Sequence, residues 1–103
     1  MFSYSKALEL MKEGKLMQRS GWNGKGMFIY LMDRKPETGS IISVEKIQEM
    51  QSIPDNVKKY HVENNIKMEF LPYIMMFTAD QKLVPWLCSQ TDMVAEDWIE
   101  FSS

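Results

Sequence analysis

Tyr73-Ile74-Met75-Met76-Phe77-Thr78, then Ala79-Asp80-Gln81-Lys82, then Leu83-Val84-Pro85-Trp86-Leu87 reads as a strand, a polar turn and a returning strand. Apolar, β-favouring runs on either side of a four-residue polar break are the pattern of a hairpin. Pro85 has no backbone N–H to give to a ladder, so the returning strand belongs at a sheet edge or a bulge. A hairpin here makes the sheet antiparallel, and the rest of the chain is read around it. Downstream, Cys88-Ser89-Gln90-Thr91-Asp92 is a polar loop, Met93 to Asp97 about one helical turn, and Trp98-Ile99-Glu100-Phe101 a closing strand. Upstream, Lys67 to Leu71 alternates polar and apolar residues, which predicts extended chain from Ile66 onward.

The first half supplies a helix and two more strands. Tyr4, Ala7, Leu8 and Met11 recur at helical spacing, with Ser3 as N-cap, Phe2 and Ala7 as a hydrophobic staple and Gly14 as the C-terminal stop. Lys15 to Ser20 is a short strand, and Met27 to Met32 is a strand apolar on both faces. Asp33 to Ser40 is a polar loop, Ser43 to Ser52 a short helix with Ile47 and Met50 inward and Pro54 ending it, and Pro54 to Asn65 a charged loop with one helical turn. The expected fold is therefore α+β: an N-terminal helix packed on a mostly antiparallel β-sheet, in a single domain of residues 1–103 with an irregular, partly helical insertion at about 33–65.

A chain of 103 residues buries about 60–70% of the surface its unfolded form exposes, enough for one modest core. Twelve basic against fourteen acidic residues leave a net charge of −2, which argues against DNA or RNA as a partner. The lone Cys88 and lone His61 supply neither a disulfide nor a zinc set, so no metal or cofactor is expected. No run approaches 18 apolar residues, and the first residues lack the pattern of a signal peptide, which predicts a cytoplasmic protein with no membrane partner. Ten methionines and twelve per cent aromatic residues give surface suited to partners or flat ligands.

Two segments hold the informative side chains. Arg19-Ser20-Gly21-Trp22-Asn23-Gly24-Lys25-Gly26 combines glycine amides, a flat indole, an amide side chain and two cations, a set that suits a nucleotide's base and phosphates. The same residues equally describe a tight Asn23-Gly24 turn with Trp22 packed in the core. In Trp86 to Trp98, the run Ser89-Gln90-Thr91-Asp92 offers groups for ribose hydroxyls and base edges. Its structural alternative is helix capping by Ser89 or Thr91 with Asp92 in the first turn. Asp92, Glu96 and Asp97 lie on about one helical turn, where carboxylates are expected to face solvent. No nucleophile with a base and an orienting group can be assembled, so no catalytic residue is assigned and the chain is read as a non-enzyme.

The string Arg19-x-Gly21-Trp22-Asn23-Gly24-Lys25-Gly26-Met27-Phe28 resembles a small phage and prophage family, the Thoeris anti-defence 2 proteins. So do Leu71-Pro72-Tyr73-Ile74-x-Met76-x-Thr78-Ala79-Asp80 and the run from Val84-Pro85-Trp86-Leu87 to Ala95-Glu96-Asp97-Trp98. The opening helix also matches, so the resemblance spans nearly all of the chain outside 33–65. Departures are the absence of the usual glycine at Gln81-Lys82 and Cys88 in place of the commoner proline or alanine. The resemblance implies a phage anti-defence sponge: a homo-oligomer, dimers pairing into tetramers, that binds the immune signal glycocyclic ADP-ribose without degrading it and so blocks activation of the Thoeris effector. Some relatives also hold cyclic oligonucleotide signals. On that implication Trp22 is a stacking platform for adenine, with Trp86 as a wall. Arg19, Asn23, Lys25 and the amides of Gly24 and Gly26 serve the diphosphate, and Ser89, Gln90, Thr91 and Asp92 serve ribose and base. The alternatives are a sponge for cyclic oligonucleotides alone, and a phage accessory protein that binds a host protein.

Overall fold

The computed structural model describes all residues except 23–25, 36, 38 and 103. The element order is α1 (Tyr4–Lys12), β1 (Met17–Arg19), β2 (Phe28–Met32), β3 (Ile41–Ile42), α2 (Val44–Ile47), α3 (Asp55–Glu63), β4 (Met68–Glu69), β5 (Tyr73–Phe77), β6 (Leu83–Pro85), α4 (Gln90–Val94) and β7 (Trp98–Glu100). The fold is α+β. The chain divides into two compact units, Met1–Met32 with Tyr73–Ser103, and Asp33–Pro72.

The first unit is an antiparallel sheet in the order β6-β5-β2-β1-β7, with α1 packed on one face. α1 forms where its periodicity predicts: the Ser3 side chain accepts from the Lys6 N–H, Ala7 and Met11 are buried, and Gly14 stops the helix at φ +94°. These two join Met17, Ile29 and Trp98 in the core, with Leu31, Ile74 and Met76 packed against it. The opposite sheet face carries Phe28 stacked on its cross-strand partner Phe77 at 4.9 Å. That alternation is why Met27 to Met32 reads as apolar on both faces. The predicted hairpin joins β5 to β6: Thr78 N–H donates to the Lys82 carbonyl, and Gln81 takes φ +64°. β6 is an exposed edge strand, and Pro85 sits opposite Met75 there.

The helical turn expected at Met93–Asp97 lies three residues earlier, as α4. The Ser89 hydroxyl takes the N-cap, accepting from the Asp92 N–H at 3.1 Å, so Asp92 falls in the first turn. At the other end of the sheet, Phe2 and Trp98 exchange backbone hydrogen bonds of 2.7 and 3.1 Å, so the residues before α1 extend the sheet beyond β7.

The second unit begins where the insertion was expected and continues to Pro72, because β4 pairs with β3, Ile42 opposite Met68. Ile47 and Met68 are its buried apolar residues. α2 is shorter than the predicted helix, and Pro54 does not end it but caps the next one. Where charge and weak periodicity predict a loop over Pro54–Asn65, the structure has the nine-residue helix α3. Pro54 pre-sets the entry, Asp55 meets the N-terminal dipole, and Asn65 leaves in the left-handed region at φ +53°. None of its residues is fully buried and only Lys58, His61 and Val62 are partly so, which leaves a stripe too weak to read. Among the described residues no helix is long and apolar enough to cross a membrane.

Candidate functional site

In the first unit, the two motif segments meet around Arg19 and Trp98. Arg19 ends β1, and β1 pairs with β7 so that Arg19 lies opposite Trp98. From there the guanidinium reaches both carboxylates of the second motif: Nη1 is 2.8 Å from Asp92 Oδ1 and Nε 2.8 Å from Asp97 Oδ1. These side chains are 19%, 16% and 26% exposed, so Asp92 and Asp97 do not face solvent as helical spacing predicts. A cation held by two carboxylates is needed to keep such groups charged with little water around them. One guanidinium against two carboxylates leaves the trio at a net charge of −1.

The environment sets the protonation of each member. Burial pushes the Asp92 carboxyl up, but hydrogen bonds from Arg19, Ser89 and Trp22 together with the Arg19 charge outweigh it and hold the group below the usual aspartate range. Asp97 is also held low, chiefly by its hydrogen bond to Arg19 and, against some desolvation, by the Gly21 N–H. Arg19 is pushed up by its bonds to Asp97 and Asp92. Ser89 closes the network, donating to Asp92 Oδ2 at 2.9 Å while capping α4.

Trp98, fully buried, is the hub of an aromatic cluster. Trp22 meets it edge-on at 5.4 Å, Tyr4 lies at 5.4 Å and Trp86 at 6.1 Å, with Trp22 and Trp86 6.5 Å apart. Its Nε1–H donates to the Asp92 carbonyl at 3.0 Å, which satisfies the one polar atom of the ring. Tyr4 is pushed up to about 12 by burial and by its neighbour Cys88. The Cys88 thiol is raised as well, first by burial.

An open cleft of about 400 Å³ lies beside this cluster, lined by Gln18, Arg19, Ser20, Trp22 and Gly26, with Ile99 and Phe101 further along. Gly26 holds φ +79°, a conformation that a side chain would strain. Arg19, Trp22 and Gly26 thus share one cleft, and Trp86 backs Trp22. Ser89 and Asp92 belong to the polar network behind them, and Gln90 and Thr91 are exposed on the first turn of α4. Asn23, Gly24 and Lys25 lie outside the described residues. Asp97, Tyr4 and Trp98 join the constellation without being predicted members. Asp97 is 78 residues from Arg19 in sequence, and only the β1–β7 pairing brings them together.

Two further clefts among the described residues, of about 620 and 540 Å³, lie in the second unit around Ile41 and contain none of the predicted site residues. His61 is also in that unit, where its Nδ1 bonds the Ile66 carbonyl at 2.8 Å beyond the end of α3.

Known proteins are similar to this chain in sequence. A sequence model of the family described as Thoeris anti-defense 2-like domain matches residues 2–101. A curated protein named Thoeris anti-defense 2, from Bacillus phage SP01, is 38% identical over 98 residues, covering 93% of this chain and 90% of its own.

Proposed function

The chain belongs to the Thoeris anti-defense 2-like family, and on that premise we propose that it blocks Thoeris immunity by binding and sequestering a cyclic ADP-ribose signal, glycocyclic ADP-ribose, without cleaving it. The observation that carries this reading is Trp22: a half-buried indole, propped edge-on against Trp98, lining an open cleft that Gly26 and Arg19 also line. A planar base needs such a face, and a diphosphate needs amides and a cation.

The charge balance sorts the ligand's parts. The Arg19–Asp92–Asp97 trio carries net negative charge, so it repels phosphate. The diphosphate goes to the side of the cleft that Gly26 lines, with Asn23, Gly24 and Lys25 as the partners the sequence motif offers. Ribose hydroxyls and base donors go to the α4 side, with Ser89, Gln90, Thr91 and the remaining acceptor capacity of Asp92. Arg19 serves this division by keeping Asp92 in place. A cleft of about 400 Å³ is at the small end for a dinucleotide-sized ligand, and a neighbouring subunit of a homo-oligomer closes it. To outcompete an effector in the host cytoplasm the affinity must be nanomolar, roughly −12 kcal/mol. A sponge returns the bound signal intact and an enzyme returns a cleaved product, so the fate of the ligand is the deciding readout.

The test is to load the protein with glycocyclic ADP-ribose, remove free ligand, denature by heat and assay the supernatant. Intact ligand is the expected result. Linear ADP-ribose products mean an enzyme and overturn the reading. Competition with cyclic oligonucleotides in the same assay separates one ligand class from the other. A second reading, capture of a host protein, is favoured by Leu83, Leu87 and Val94, which are 55%, 90% and 72% exposed. Calorimetry that finds no nucleotide binding, with co-purification of a host protein, selects it.

A further inference from the structure

Asp97 gathers the donors of three consecutive residues. Its Oδ1 accepts from Arg19 Nε at 2.8 Å, its Oδ2 from the Gly21 N–H at 3.1 Å and, at a longer 3.5 Å, from the Ser20 hydroxyl, and its backbone carbonyl accepts from the Ser20 N–H at 3.0 Å. Gly21 permits this approach: a Cβ there would lie 3.0 Å from Asp97 Oδ2. The turn is completed when the Trp22 N–H donates to the Arg19 carbonyl at 3.2 Å. Trp22 then packs against Trp98, the residue that directly follows Asp97. Both the backbone that leads into Trp22 and the ring that supports it are therefore referenced to one short segment, 97–98.

We infer that Asp97 is a positioning residue for ligand binding: it fixes the backbone of residues 19–21 so that the face of Trp22 is presented to the cleft, and it does not itself touch the ligand. This rests on the reading under Proposed function. Both carboxylate oxygens already have protein donors, and a carboxylate placed against a diphosphate would repel it. An asparagine at this position keeps one carbonyl oxygen for the Gly21 N–H and loses the charge facing Arg19, which makes it the informative conservative change.

The experiment has a ligand-free arm and a ligand arm. In a Trp86→Phe background, where Trp98 is buried and Trp22 is the accessible indole, acrylamide quenching reports Trp22 and hydrogen exchange reports the Gly21 amide. Asp97→Ala is expected to raise both, and Asp97→Asn to return them part of the way. In the otherwise native chain, calorimetry with glycocyclic ADP-ribose is expected to show about a tenfold loss for Asp97→Ala, the scale of one charge-assisted hydrogen bond. Asp97→Asn recovers part of it. Gly21→Ala strikes the same contact, so the double variant Gly21→Ala/Asp97→Ala binds no worse than the weaker single variant. Additive losses would mean general destabilisation and overturn the inference, as would unchanged quenching and exchange in Asp97→Ala. Failure of the unmodified protein to bind glycocyclic ADP-ribose counts against the proposed function instead, and the ligand-free arm then decides whether Asp97 sets the position of Trp22.

Discussion

The Trp98 indole N–H donates to the backbone carbonyl of Asp92 at 3.0 Å, which ties the core of the sheet to α4. That helix has five residues, none of them buried, so apolar packing does little to hold it. Its attachments are polar: this bond, the Arg19–Asp92 ion pair and the Ser89 cap. Trp98→Phe keeps most of the ring but removes the donor and leaves a small void. It is expected to cost about 1–3 kcal/mol, against about 3–5 for Trp98→Ala. Urea denaturation measures the cost, and hydrogen exchange of the α4 amides should rise more in Trp98→Phe than exchange in α1. Equal changes in both helices would mean that the bond does not anchor α4 in particular.

The Arg19 trio makes the protein sensitive to acid. Asp92 and Asp97 are both held below the ordinary aspartate value in the native state. As pH falls, the unfolded chain therefore takes up protons first, and stability falls with it. The contribution is complete above about pH 5 and is lost as pH drops through about 4 toward the lower native values. Urea midpoints measured across this window should fall less steeply in Asp92→Asn and in Asp97→Asn than in the unmodified chain. Parallel curves would show that these two carboxyls are not linked to folding.

At the alkaline end the sign reverses. Tyr4, pushed up to about 12 by burial and by Cys88, keeps its proton in the native state after the unfolded chain has released it at about 10. The native form then binds more protons, so stability is lost as pH rises from about 10 to 12. Titration of tyrosinate absorbance should show a late step near pH 12, and Tyr4→Phe should remove it. A titration curve that Tyr4→Phe leaves unchanged at its alkaline end would sink the prediction.

What was legible in the sequence follows from which forces were local. α1 announces itself because Ser3, the Ala7–Met11 spacing and Gly14 all lie within one short segment and agree. The β5–β6 hairpin is readable for the same reason, and Pro85 marks its edge. α3 is not readable, because with no fully buried residue its periodicity is weak, and Pro54 reads as an end as easily as a beginning. β4 falls inside the alternating stretch Lys67–Leu71, whereas the two-residue β3 is too short to alternate. In the candidate site the residue types of both motifs stood out, but the Arg19–Asp97 contact did not. Its partners are brought together by the strand register opposite Trp98, and spacing on one helical turn pointed Asp97 toward water.

One departure from the resembling family's pattern has a measurable cost. Gln81 stands at φ +64° in the β5–β6 turn, where its N–H donates to the Thr78 carbonyl. A side chain in this left-handed region is disfavoured by contact between its Cβ and the backbone, and glycine escapes that contact while paying more entropy on folding. The balance predicts that Gln81→Gly stabilises the protein by about 0.5–1 kcal/mol. The turn is exposed and the hydrogen bond is unaffected, so nothing else should change. A lower denaturation midpoint in Gln81→Gly would show that the left-handed strain is not the controlling term.

Trp22 joins stability to function, so its variants must separate the two. Trp22→Ala removes the stacking face and should weaken glycocyclic ADP-ribose binding by about 1–3 kcal/mol, the worth of a base on an aromatic ring. The same truncation also removes the edge-on contacts to Trp98 and Trp86, and with them some stability. Trp22→Phe keeps a flat face and most of those contacts, so it should retain more affinity than Trp22→Ala at a similar thermal midpoint. Comparing ligand-induced shifts of the midpoint in all three proteins distinguishes lost stacking from a loosened fold. If Trp22→Ala binds as tightly as the unmodified chain while remaining folded, Trp22 is a packing residue and the ligand's base lies elsewhere.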